Sequence, residues 1–191
     1  MKGARPLSTA EVDDVCRLFE GRYRKRNLAL FILGLKSGFR ISELLSLRIG
    51  DVYGHGRMVD QVTVRRANMK KKIEGRTIVL HPSAKEAVEA WIAESGFPSP
   101  ETFLFRSRKG ENSPLTRQQA WSILDGAFNR AELQGQLGCH SMRKTFCARV
   151  HEALGRDLLK TQRALGHKCV SSTAAYLSFN EAEISEAVLS I

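Results

Sequence analysis

Long apolar stretches are missing from this sequence. The longest, around Leu28–Leu35, is far too short to span a bilayer. The opening, MKGARPLSTAEVDD, has no apolar signal core. No membrane partner is expected, and the expected location is the cytoplasm. Cysteine is sparse, with four residues at positions 16, 139, 147 and 169 and no CxxC pair, which argues against a disulfide framework or a zinc ribbon. The neighbours Cys139–His140, Cys147 with His151, and His167 with Cys169 do not match common zinc spacings, so no metal is expected. No internal repeat or low-complexity tract is present, which removes the solenoid and array architectures. Acidic residues are also in deficit. Twenty Asp and Glu stand against thirty Lys and Arg, a formal net charge of +10. A surplus of this size suits a polyanionic partner, usually nucleic acid, although a basic solubilising surface gives the same count.

What is present suits one domain. The chain has 191 residues, with 42% hydrophobic and 26% charged, an ordinary globular balance long enough for a real core and short for two. Ser8-Thr9-Ala10-Glu11 is a capping box, and the helix it opens carries Val12, Val15, Cys16 and Phe19 on one side. A second helix is predicted from about Arg24 to Ser37, with Leu28, Phe31, Ile32 and Leu35 inward and Gly38 as its stop. A short helix follows at Ser42–Leu47. The middle then alternates like a hairpin, Gln61–Arg65 and Thr77–Leu80, around a basic turn. Pro82-Ser83 opens another helix, Phe103–Phe105 reads as a short strand, and Thr116 caps a helix over Arg117–Ala131. Further helices are predicted at Ser141–Leu154, Asp157–Leu165, Ser171–Leu177 and Asn180–Ser190. The expected fold class is therefore mainly α with a small β-hairpin, an α+β arrangement.

The residues able to carry chemistry are scattered. Arg40 lies in Gly38-Phe39-Arg40-Ile41-Ser42-Glu43, lysines 70, 71 and 72 sit in the hairpin turn, His140-Ser141-Met142-Arg143 is a His-x-x-Arg, and Gly166-His167 precedes Tyr176. Arg, Lys, His-x-x-Arg, Gly-His and Tyr in this order resemble the catalytic set of the tyrosine recombinases, the family of phage integrases and Xer recombinases. Each piece alone is weak; the ordered set, covering Leu7 to about Val188, is specific.

The residue types fit the chemistry of a phosphodiester, an anionic and therefore poor electrophile. Two guanidiniums, those of Arg40 and Arg143, can hold its non-bridging oxygens and balance the charge that grows at the transition state. A phenol is mostly protonated at neutral pH, so Tyr176 needs cationic surroundings and a base to attack phosphorus. The resemblance implies a 3′-phosphotyrosyl link, His140 assisting proton transfer at the tyrosine, and His167 bonding the phosphate. It also implies a hairpin lysine as general acid for the leaving 5′-oxygen. Lys70 is preferred and Lys72 is the alternative, and a bland reading makes all three lysines backbone contacts. Glu43 resembles a recurring acid that orients the first arginine. Arg65, Arg66, Arg117, Lys144 and Lys168 are candidate DNA contacts.

The resemblance thus implies a tyrosine recombinase catalytic-domain fold over residues 1–191, metal-free and cofactor-free, acting on double-stranded DNA for site-specific recombination. A homotetramer in the synaptic complex is implied as well. The family's separate N-terminal core-binding domain has no counterpart here, so either that domain or an accessory protein is expected to complete the DNA clamp. Two other readings stand beside this one: a type IB topoisomerase-like relaxing enzyme, and a catalytically idle DNA-binding regulatory module.

Overall fold

The capping box at Ser8 forms as the sequence requires. The Ser8 hydroxyl accepts from the Glu11 amide at 3.2 Å, and the Glu11 carboxylate accepts from the Ser8 amide at 2.8 Å. The same carboxylate is gripped by both terminal nitrogens of Arg5 at 2.6 and 2.9 Å, which holds the Glu11 carboxyl down at about 2. This helix, α1 (Thr9–Arg17), buries Val12 and Val15, with Phe19 buried just beyond its end.

The computed structural model of the chain describes residues 4–64, 76–96, 98–108, 110–167, 169–177 and 188–190. They divide into two compact units, Met1–Phe146 and Cys147–Ile191. The first unit is built around α2 (Arg24–Ser37), which buries Ala29, Leu30, Phe31, Leu33 and Leu35. The predicted inward stripe was too narrow: Leu28 and Ile32 are only partly buried, while Leu30 and Leu33 are fully covered. The helix is wrapped on several sides, so no single amphipathic face marks it. It packs on α5 (Pro82–Glu94), through Ala84, Val88 and Ile92. Phe19, Phe31 and Phe128 meet edge to face at centroid distances of 5.7 and 6.3 Å.

Between these helices lie α3 (Ile41–Ser46), α4 (Ile49–Val52), and a tiny hairpin of β1 (Tyr53–Gly54) with β2 (Arg57–Met58). The larger antiparallel pair joins β3 (Gln61–Val64) to β4 (Arg76–Val79), with Val64 opposite Arg76 and Val62 opposite Ile78. The basic turn between them lies outside the described residues. The expected strand at Phe103–Phe105 is reduced to a single bridge, Phe103 to Arg48, with another from Arg106 to Pro114. Thr116 caps α6 (Arg117–Arg130), and α7 (Cys139–Ala153) begins in the first unit. Its Thr145 hydroxyl, itself donating to the Ser141 carbonyl, accepts the Leu7 amide at 2.8 Å and ties the start of the chain to this helix.

The second unit holds the end of α7, then α8 (Leu158–Leu165) and α9 (Val170–Ala174). The predicted final helix from Asn180 falls almost entirely outside the described residues. Among the described residues no helix is long and apolar enough to cross a membrane.

Gly38 ends α2 in the left-handed conformation, φ 57°, and a Cβ there would overlap the Phe146 ring. Left-handed strain and overpacking add. Gly38→Ala is expected to cost about 3 kcal/mol of stability, read as a lowered midpoint in urea unfolding.

Candidate active site

Arg40 owes its place to two adjoining helix ends. Gly38 closes α2, and two residues later Arg40 is the N-cap of α3. The Glu43 carboxylate takes the Arg40 amide at 2.7 Å and its guanidinium at 3.1 Å. With Glu43 mostly covered and Arg40 more open, at side-chain exposures of 13% and 38%, this pair anchors the Arg40 backbone and one guanidinium nitrogen and leaves the side chain partly accessible.

Arg143 is different. It is only 1% exposed, a guanidinium in the interior of the first unit. A buried cation is tolerable only when bonded to acceptors. One acceptor is the Gly38 carbonyl, at the C-terminal end of α2 where the helix dipole is negative. The structure therefore brings Arg143 against the segment that carries Arg40. His140 lies one turn before Arg143 on α7. Desolvation, then the charges of Arg143, Arg40 and Lys144, hold its pKa below the ordinary imidazole value. Arg40, His140, Arg143 and Lys144 thus form one electropositive group, in which the histidine is neutral at pH 7 and able to accept a proton. The phosphodiester chemistry that the sequence resemblance implies is accordingly expected to be flat from pH 7 to 8 and to slow on acidification below the ordinary histidine range, as His140 protonates. A pH–rate profile of His140→Gln that keeps the same acid limb would remove His140 from that role.

In the second unit, α8 ends at Gly166, again left-handed at φ 62°. This explains the Gly-His pair: the glycine turns the chain so that His167 leaves the helix, its amide bonding the Gln162 carbonyl at 3.2 Å and its own carbonyl accepting from Gln162 Nε2 at 3.1 Å. His167 is buried, and its Nδ1 meets the Thr173 hydroxyl at 2.9 Å. Tyr176 follows α9, its amide bonded to the Thr173 carbonyl at 2.9 Å. The rings of His167 and Tyr176 lie 5.2 Å apart, tilted by 56°. Thr173 therefore serves both residues, through its side chain and its backbone, and the sequence reading passed it over. Its signal was only its spacing, three residues before the tyrosine.

Nearby, the exposed Cys169 has its thiol lowered to about 7 by the hydroxyl of Ser171, at 3.2 Å, and by Ser172. Of the other candidates, Arg117 is exposed at the first position of α6 and Lys144 is half-buried on α7. Lys70, Lys72, Arg65, Arg66 and Lys168 lie outside the described residues. A cavity of about 820 Å³, lined by Arg22, Tyr23, Trp91, Arg106 and Arg108 among others, contains none of the candidate catalytic residues. Among the described residues no group of three His, Cys, Asp or Glu side chains is placed to hold a metal ion.

Residues 7–183 match the family described as the phage integrase family. The chain belongs to the phage integrase family. "Probable integrase/recombinase YoeC" of Bacillus subtilis is 31% identical over 93% of this chain and 91% of its own length. Tyrosine recombinase XerD of Oceanobacillus iheyensis is 30% identical over 94% of this chain, which spans only 59% of that relative. The integrase-family fold is shared by the XerA recombinase crystal structure, with a TM-score of 0.77 at 20% identity, covering 98% of this chain and 65% of that one. XerH bound to its difH substrate gives 0.74 at 22%, covering 96% of this chain and 53% of that one. The catalytic domain of bacteriophage HP1 integrase gives 0.63 at 20% identity, over 97% of this chain and 94% of that domain.

Proposed function

We propose that this integrase-family chain is a site-specific recombinase that cuts and rejoins double-stranded DNA with Tyr176 as its nucleophile. The observation that carries the residue assignment is the buried Arg143 beside the Arg40 segment, joined electrostatically to a neutral His140. A buried guanidinium, a second accessible one and a proton acceptor are what a phosphodiester and an attacking phenol need.

In this reading the Tyr176 oxygen attacks phosphorus and passes its proton to His140. Arg40 and Arg143 take the non-bridging oxygens. With Nδ1 engaged by Thr173, Nε2 is the His167 nitrogen assigned to the phosphate. The P–O5′ bond breaks, and the departing oxygen is protonated by a hairpin lysine, Lys70 in preference to Lys72. The 3′-phosphotyrosine keeps the energy of the broken bond, so a 5′-hydroxyl from another strand can reverse the step without nucleotide or metal. Glu43 positions Arg40. Lys144, Arg117, Arg65, Arg66 and Lys168 supply backbone contacts, and strand exchange takes place in a homotetramer.

The test is covalent capture. A duplex nicked next to the cleavage site loses a short 5′-hydroxyl fragment after attack, so religation fails and the adduct accumulates. Wild-type protein is expected to give a shifted protein–DNA band stable to detergent. Binding with no adduct at any site would leave only the regulatory-module reading, and plasmid relaxation without recombinant product would favour the topoisomerase one.

A further inference from the structure

Arg76 is the feature of the first unit that the reaction scheme leaves unexplained. It opens β4 opposite the buried Val64, so the register turns it to the inner face with Ile78. A basic residue at an inward strand position is costly unless something receives its charge. What receives it is again the end of α2: Arg76 Nη1 donates to the Gly38 carbonyl at 3.1 Å and Nη2 to the Ser37 carbonyl at 2.9 Å. The planar guanidinium also lies 5.3 Å from the Phe39 ring centroid and 6.0 Å from that of Phe146. Arg143 donates to the same Gly38 carbonyl.

Resting on the reading of Arg40 as a phosphate-holding residue, we infer that Arg76 is a positioning residue for Arg40, clamping the Ser37 and Gly38 carbonyls together with Arg143. The mechanism is short-range. Only Phe39 separates the clamped Gly38 from Arg40, and Phe39 is itself buried and lies beneath the Arg76 guanidinium. Glu43 fixes the Arg40 side chain relative to α3, but it does not fix α3 relative to α2. The two guanidiniums hold the α2 end, and with it the chain that enters α3, to β4 and α7. Both terminal nitrogens of Arg76 are taken up by carbonyls, so its part is to hold backbone. Arginine suits the task better than lysine, because one rigid fork reaches two adjacent carbonyls and stacks on a ring at once.

The test is a double-mutant cycle in single-turnover covalent capture. Arg40→Lys supplies a slowed but measurable background. In wild-type protein, Arg76→Ala is expected to slow cleavage on the order of 10²-fold, the scale of a misplacement near 1 Å, with DNA affinity unchanged. In the Arg40→Lys background the same change is expected to slow it by less than about threefold, because a misplaced arginine is no longer there to lose. Arg76→Lys, which keeps the charge without the fork, is expected to fall between, with the same non-additivity, and it decides the matter if Arg76→Ala does not fold. Equal slowing in both backgrounds, a wild-type rate, or a loss explained wholly by weaker DNA binding would overturn the inference. If Arg40→Lys alone cleaves at the wild-type rate, the assignment of Arg40 falls instead; if it is slow while Arg76→Ala is normal, only the clamp falls.

Discussion

Tyr176→Phe protein is expected to bind duplex DNA as the wild type does and to yield no covalent adduct, a loss on the order of 10⁴-fold or more in cleavage rate, as for other nucleophile removals. The substitution deletes one oxygen. The ring keeps its place 5.2 Å from His167, and the amide bond to the Thr173 carbonyl does not involve the side chain, so the local fold is retained. That separation of folding from chemistry makes the experiment decisive. An adduct formed by Tyr176→Phe would mean that another side chain attacks, and Tyr23 or Tyr53 would be the next to mutate. Cys169 gives a useful control. Its exposed thiol is lowered to about 7 and sits seven residues before the tyrosine, so Cys169→Ser should leave the adduct intact and show that the phenol, not a thiolate, is captured.

Arg143→Ala should fail in two ways at once. Cleavage is expected to fall on the order of 10³-fold, the upper range for one donor to a developing oxyanion. Stability is expected to fall by about 3 kcal/mol, since a wholly buried side chain of this size leaves a cavity and the Gly38 carbonyl loses a charged donor. Arg143→Lys separates these effects. The charge remains, but a single ammonium cannot bond both the backbone and a phosphate as a fork does, so activity should stay low while part of the stability returns. Single-turnover cleavage beside urea unfolding of the same preparations checks both. A variant with full stability loss and wild-type cleavage would show that Arg143 is only a core residue.

How much of this was readable beforehand follows from range. The caps at Ser8 and Thr116 are local signals, a hydroxyl and a Glu or Gln three residues on, and both form as written. Gly38 and Gly166 were readable as ends for the same reason, as each supplies a left-handed turn. The order of Arg40, His140, Arg143, His167 and Tyr176 was legible through family resemblance, and the structure adds the local reason for several of them: a cap, a shared helix, a turn after a glycine. What escaped was whatever depends on distant partners. The strand expected at Phe103 became a bridge because its partner, Arg48, is distant in sequence and pairs with it at a single position. The burial of Arg143 and the clamp by Arg76 escaped too, because a carbonyl acceptor leaves no trace in side-chain pattern. Arg76 alone offered a hint, as a charge on the inward phase of an alternating strand.

The meeting of Arg76 and Arg143 on one peptide also bears on when the site can exist during synthesis. The contacts join residues 38 and 105 positions apart in sequence, and the tie from Leu7 to Thr145 spans 138. Contacts of such separation close late, after local helices have formed and after α7 has left the ribosome. A chain interrupted before residue 140 would carry Arg40 beside a helix end held by Arg76 alone, and would lack His140, Arg143, His167 and Tyr176. The candidate residues are thus gathered only once synthesis has passed Tyr176, and a shorter nascent chain holds an incomplete set.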